Sequence, residues 1–92
     1  MESDIHCEPG RVYITAPGGA VAAQVLFEDS GEGRVTVKST YVDKSLRGRG
    51  VAGRLMEAAA QQIRAQNKKA VPACSYAARW FAAHPEYGDI LA

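Results

Sequence analysis

The sequence predicts an α+β fold of the order βββαβα: a three-stranded antiparallel meander, a helix, a short parallel strand and a C-terminal helix. Three observations carry this expectation. Three runs rich in β-branched and aromatic residues lie between Arg11 and Val42, parted by two polar turns. An apolar residue then recurs every four positions from Val51 to Ile63. A short apolar run and a second segment with one apolar face complete the chain. Its 92 residues read as one domain, 1–92, whose first ten residues form a loosely ordered N-terminal segment.

Each element follows from local chemistry. Arg11-Val12-Tyr13-Ile14 is a short strand, stopped by the turn Ala16-Pro17-Gly18-Gly19. Val21 to Phe27 is a second strand, closed by the polar turn Glu28-Asp29-Ser30-Gly31-Glu32-Gly33. Arg34 to Val42 alternates, with Val35, Val37, Ser39 and Tyr41 on one face and Thr36, Lys38, Thr40 and Val42 on the other. Tight turns between consecutive strands imply antiparallel pairing. From Gly50 to Gln66, Val51, Leu55, Ala59 and Ile63 form one helical stripe, with Met56 and Ala60 beside it. Asn67-Lys68-Lys69 stops that helix and places positive charge at its negative end. Ala70-Val71-Pro72-Ala73 follows as a strand that a helical crossover lays parallel to the third. Ser75 caps a second helix ending at His84 before Pro85, and Ala77, Trp80 and Phe81 give it a packing face.

Composition narrows the class. Apolar residues make up 47% of the chain and charged residues 23%, the balance of a soluble globular protein. No apolar stretch approaches the roughly 18 residues of a membrane span, and the start Met1-Glu2-Ser3-Asp4 is acidic, unlike a signal peptide. Cys7 and Cys74 suggest neither a disulfide framework nor a metal pair, which fits a reducing, cytoplasmic setting. The net charge of +1 conceals an asymmetry: −5 up to Gly33, +7 from Arg34 to Lys69, and −1 beyond. A basic middle favours a polyanionic ligand. Nucleic acid is disfavoured as that ligand, because there is no basic tail and no aromatic pattern among those bases.

The basic region surrounds Leu46-Arg47-Gly48-Arg49-Gly50-Val51-Ala52-Gly53, which leads from a strand into a helix. Gly48 and Gly50 permit a sharp turn and leave no side chain in a ligand's way. The helix start offers unpaired N–H groups and the positive end of the dipole, the combination that binds a pyrophosphate. Arg47 and Arg49 add charge, while Ala52 and Gly53 keep the first turn small. The loop lacks the Lys and Ser/Thr of a nucleoside-triphosphate loop. Three meander strands also precede it, where a dinucleotide fingerprint needs a first βα unit.

Arg47-Gly48-Arg49-Gly50-Val51-Ala52 resembles the Gln/Arg-x-x-Gly-x-Gly/Ala loop of the GNAT N-acetyltransferase superfamily. Val71-Pro72-Ala73-Cys74-Ser75-Tyr76, Trp80-Phe81 and His84-Pro85-Glu86-Tyr87 resemble the small, single-domain GNAT-like members. The likeness covers roughly residues 11 to 91. It implies a minimal GNAT-like fold that binds acetyl-CoA or coenzyme A between the third and fourth strands. The pantetheine arm would pair with Thr40, Tyr41 and Val42, and the pyrophosphate would sit on N–H groups from Arg49 to Gly53, with Arg47 and Gly48 completing the loop.

The implied reaction is acetyl transfer to a primary amine, on a small molecule or a protein. Cys74, at a helix N-terminus where a thiolate is stabilised, is a candidate acetyl acceptor; a buried structural thiol is the competing reading. Tyr76 is a candidate acid for the departing CoA thiol, or else a core residue. His84 reads as a helix cap, Trp80 and Phe81 as core anchors, Tyr87 as a packing lid over the tail, and Asp43 and Glu57 as surface carboxylates flanking the loop; no metal site is expected. So short a chain lacks the elements that build an acceptor pocket in larger members, so that side is open or completed by a partner or a second copy in a homodimer. A non-catalytic CoA-binding or sensor module is the alternative function.

Overall fold

Alternating burial builds the sheet. Val12 and Ile14, then Ala23, Val25 and Phe27, point to one side and are almost fully buried, while Arg11, Tyr13, Gln24 and Leu26 between them are only half-buried. In the computed structural model, which describes residues 5–92, the elements are β1 (His6–Glu8), β2 (Arg11–Thr15), β3 (Val21–Gly31), β4 (Arg34–Val42), α1 (Val51–Ala65), β5 (Lys69–Pro72) and α2 (Ser75–Ala83). A 3-10 turn at Lys44–Leu46 precedes α1, and another at Pro85–Ile90 follows α2. The acidic start at residues 1–4 lies outside the described residues.

One five-stranded sheet runs in the order β1-β2-β3-β4-β5, antiparallel through β4 and parallel between β4 and β5. The apolar stripe of α1, with Leu55, Met56, Ala59, Ala60 and Ile63 essentially inaccessible, packs against the buried residues of β2 to β5. Trp80 and Phe81 of α2, with Tyr87 and Ile90 beyond it, extend the same core. Arg64 fastens the tail to α1: its guanidinium donates to both oxygens of Asp89, at 2.6 and 3.2 Å, and lies 4.5 Å over the Tyr87 ring.

Besides extending β3 to Gly31, through most of the expected polar turn, the structure differs from the sequence reading in four places. The N-terminal segment read as loosely ordered contains β1, which pairs with β2 from His6↔Tyr13 to Glu8↔Arg11. Glu8 binds the Arg11 guanidinium and the Tyr13 hydroxyl, and His6 stacks on Tyr13, so polar side chains hold this edge where no apolar pattern announces it. Cys74, not Ser75, caps α2, its sulfur accepting the Ala77 N–H at 3.3 Å. The helix at the glycine loop starts at Val51, with Gly50 outside it as the N-cap.

The fourth difference matters most for function. Leu26 faces Ser39 but Phe27 faces Val37, so Lys38 is an extra residue in β4, a β-bulge. The alternation changes phase there. Val35 and Val37 are buried, Lys38 and Ser39 are both exposed, and Val42 returns to pack on the core. Tyr41, expected on the face of Val35 and Val37, is instead 46% exposed.

Candidate functional site

The bulge ends the pairing of β4 with β5. Their register stops at Val37↔Pro72, and the Val37 carbonyl accepts both the Ala73 N–H (3.0 Å) and the Cys74 N–H (3.2 Å) as β5 turns into α2. Residues 38–42 continue along β3 alone. Asp43 N–H donates to the Ala22 carbonyl at 2.7 Å, so odd-numbered positions after the bulge point their backbone groups at β3. Those of Thr40 and Val42 therefore face the open side. Arg47 Nε donates to the Val42 carbonyl at 3.2 Å and closes the far end of that edge. An open strand edge of this kind can take an extended amide-bearing ligand as an added strand.

At the mouth of this opening the chain turns into α1. Asp43 organises the turn. Its carboxylate accepts the Ser45 hydroxyl (2.5 Å), the Ser45 N–H (3.0 Å) and the Tyr41 hydroxyl (3.4 Å). Those bonds, with the Ser45 hydroxyl foremost, hold its carboxyl below the ordinary 3.8. Gly48 and Gly50 then adopt φ of +83° and +72°, a region in which other residues are strained. A Cβ at either would meet no atom within 4 Å, so the space above both is empty. Gly50 supplies no side-chain cap and the first turn of α1 holds no acid, so among the described residues no side chain caps its N–H groups, the arrangement that suits an anion.

Val42, Leu46, Arg47, Gly48, Gly50, Val51, Ala52, Gly53 and Tyr76 line a cleft of about 250 Å³. None of them bears a carboxylate. The glycine loop, the end of β4 and Tyr76 thus converge on one cleft. Thr40, Tyr41, Arg49 and Cys74 do not line this cleft. Arg49 is exposed on the loop, and Tyr41 turns its ring to the opposite face. Thr40 and Cys74 meet farther along the opening, with Thr40 Oγ1 3.6 Å from Cys74 Sγ. Cys74 is only partly buried, and it sits where β4 and β5 part.

Tyr76, on the first turn of α2, reaches across to α1. A Cβ at Gly53 would lie 3.7 Å from its hydroxyl and 3.8 Å from Trp80 Nε1, an ordinary contact, so both side chains border the first turn of α1. Burial pushes the Tyr76 phenol above its usual value, against the pull of nearby Arg79, and keeps it a proton donor. His84 serves as the C-cap of α2; its ring stacks on Trp80 at 4.0 Å and Nδ1 meets the Trp80 carbonyl at 2.8 Å. Glu57 lies 3.4 Å from the Tyr87 hydroxyl and away from the cleft. Sequence reasoning passed over two features. Arg79 was visible only as a residue three positions after Tyr76, on the same helical face, and the bulge at Lys38 left no mark in an evenly alternating strand. No cluster of three or more metal-ligating side chains exists among the described residues.

The family profile of the GCN5-related N-acetyltransferases matches residues 11–90. Among solved structures, the chain is similar to a GCN5-like protein from Staphylococcus aureus, with 22% identity over 97% of this chain and 87% of that one, at a TM-score of 0.80. It also resembles a GNAT-family acetyltransferase from Staphylococcus aureus (12% identity, 79% and 49% coverage, TM-score 0.62) and nourseothricin acetyltransferase (24%, 84% and 47%, TM-score 0.57). At these identities the likeness is one of fold, and the chain spans about half the length of the last two. A comparison with curated proteins finds no match.

Proposed function

Because the chain belongs to the GCN5-related N-acetyltransferase family, we propose that it takes acetyl-CoA into the opening between β4 and β5 and transfers the acetyl group to a primary amine. The observation that carries this reading is the open edge of β4, which ends on an empty glycine cradle at the start of α1. The residues fit the ligand at both ends. Backbone groups of Thr40 and Val42 would hold the pantetheine amides, and the free N–H groups from Arg49 to Gly53 would hold the pyrophosphate, with Arg47 and Arg49 adding charge. Tyr41, its ring turned to the other face, would contribute only through the strand it continues. The bound ligand supplies an activated acetyl thioester.

Cys74 lies where that thioester would arrive. Its thiol would release its proton to solvent water and the thiolate would attack the carbonyl, forming a new S–C bond as the bond to the CoA sulfur breaks; Tyr76 would protonate the departing sulfur and regain a proton from solvent. An amine would then displace the acetyl group from Cys74 as an amide, restoring the thiol. Thr40, 3.6 Å from Sγ, would orient it. Incubation with acetyl-CoA in the absence of amine should place one acetyl group on Cys74 by intact-mass and peptide measurement. Turnover by a Cys74→Ala variant at the wild-type rate would instead establish direct attack of the amine on the bound thioester.

One observation favours a second reading. Among the described residues, the cleft is lined by no carboxylate or imidazole that could act as a base, as suits a non-catalytic CoA-binding or sensor module. Binding of CoA without transfer to any of a panel of amines, peptide lysines included, would select it.

A further inference from the structure

A second cavity, of about 240 Å³, lies between the turn that joins β2 to β3 and the 3-10 turn before α1. Leu46 is a wall both of this cavity and of the cleft. Backbone bonds fix its frame: the Ala16 N–H donates to the Ala20 carbonyl at 2.7 Å, and the Asp43 N–H to the Ala22 carbonyl at 2.7 Å. Ile14, Pro17, Val21 and Leu46 make it largely apolar, and Asp43 is its one charged lining residue among the described residues. Acetyl transfer in the cleft gives this cavity no task.

The charge on Asp43 is unmatched. Among the described residues no cation forms an ion pair with it, and the nearby Arg47 spends its Nε on the Val42 carbonyl. Oδ2 accepts both Ser45 bonds, at 2.5 and 3.0 Å, while Oδ1 accepts only the Tyr41 hydroxyl at 3.4 Å. A carboxylate offers about four lone-pair sites, so Oδ1 keeps room for one more donor. The same bonds keep the group ionised at neutral pH. A half-buried carboxylate beside an apolar wall favours a ligand that joins a positive charge to an apolar body. Apolar cavities of about 150 Å³ admit benzene, so this one has room for a ring and an aminomethyl group. Asp43 also lies three residues beyond Thr40, about 10 Å along extended chain, and Thr40 is the neighbour of Cys74. An amine held on Asp43 is therefore out of reach of Cys74.

We propose that this cavity binds a small apolar primary amine, its ammonium on Asp43 and its hydrocarbon body against Ile14, Pro17, Val21 and Leu46. The site is separate from the position of the acetyl acceptor and does not depend on what occupies the cleft.

Titration of the isotope-labelled full chain with benzylammonium and with benzyl alcohol, followed by amide chemical shifts, tests it. Benzylammonium should give saturable shifts centred on Val21, Asp43 and Leu46. It should bind about tenfold or more tighter than the alcohol, the weight of one charge-assisted contact. Asp43→Asn should bind the two within about twofold of each other. Ala20→Phe, at an exposed lining position, should keep the wild-type Tm and lose both ligands. The proposal is overturned by an absence of saturable shifts, by equal affinities in the wild-type protein, by a preference that survives Asp43→Asn, or by undiminished binding in Ala20→Phe. Displacement of benzylammonium by CoA overturns it too, since the cavity would then belong to the cleft.

Discussion

Replacing Gly50 by alanine should separate the cost of backbone strain from the loss of a ligand. Gly50 holds φ +72° and ψ 14°, and a Cβ there would meet nothing within 4 Å. No clash arises, so the stability cost is that of a left-handed L-residue alone, about 1–2 kcal/mol. In a chain of this length each kcal/mol lowers Tm by roughly 4–8 °C, which gives a fall of roughly 4–16 °C. The same methyl group stands in the space where an anion would sit on the α1 N–H groups. CoA affinity should therefore drop about tenfold or more, beyond anything that stability explains. Gly18 provides the control, because it too has positive φ (+102°) and open space at its Cβ position, but in the turn between β2 and β3. Gly18→Ala should lose similar stability and bind CoA normally. Thermal melts and titrations well below both Tm values measure the two quantities. Normal CoA affinity in Gly50→Ala, or an equal loss in Gly18→Ala, would refute the assignment of the glycine loop as the anion cradle.

Further expectations follow from other parts of the molecule. Cys74→Ser keeps an acceptor for the Ala77 N–H and should bind CoA within about threefold of wild type while taking up no stable thioester, as mass spectrometry after acetyl-CoA treatment will show. Tyr76→Phe should slow acetyl transfer with CoA affinity preserved; an unchanged rate removes the phenol as the proton donor. Asp89 is held below its ordinary 3.8 by Arg64, so its contribution to stability is present above that pH and disappears as the pH falls through the lower, folded value. Asp89→Asn should accordingly flatten the acid limb of denaturant-measured stability below pH 3.8 and leave the neutral range parallel to wild type; an unaltered acid limb counts against the linkage. Ile63→Ala, at a side chain only 1% exposed, should cost about 2–5 kcal/mol in chemical denaturation, and a smaller loss would mean that the core collapses around the vacancy.

The elements with a strong local period were legible from residue order. The stripe Val51, Leu55, Ala59, Ile63 marks α1 because helical spacing brings those side chains onto one face whatever they pack against. The strands β2, β3 and β4 and the parallel placement of β5 followed from turn chemistry and the need for a crossover. The glycine loop was also readable, since its shape depends on Gly48 and Gly50 at positive φ and on a helix that begins beside them.

What sequence could not supply depends on which backbone lies opposite which. Strand β1 has three exposed residues held by Glu8, Arg11 and Tyr13, and no periodic signal precedes that pairing. The bulge at Lys38 exists only because Leu26 and Phe27 of β3 skip a residue of β4, and a chain that alternates evenly gives no sign of the skip. That one residue turns Tyr41 outward, ends the pairing with β5 and opens the cleft. Cys74 follows the same logic: it gains its place from the Val37 carbonyl across the sheet. Local pattern thus determined the elements and the glycine loop, because side-chain period and turn chemistry act over a few residues. Tertiary structure decided where the sheet opens and what faces the opening, because register is a property of two strands at once.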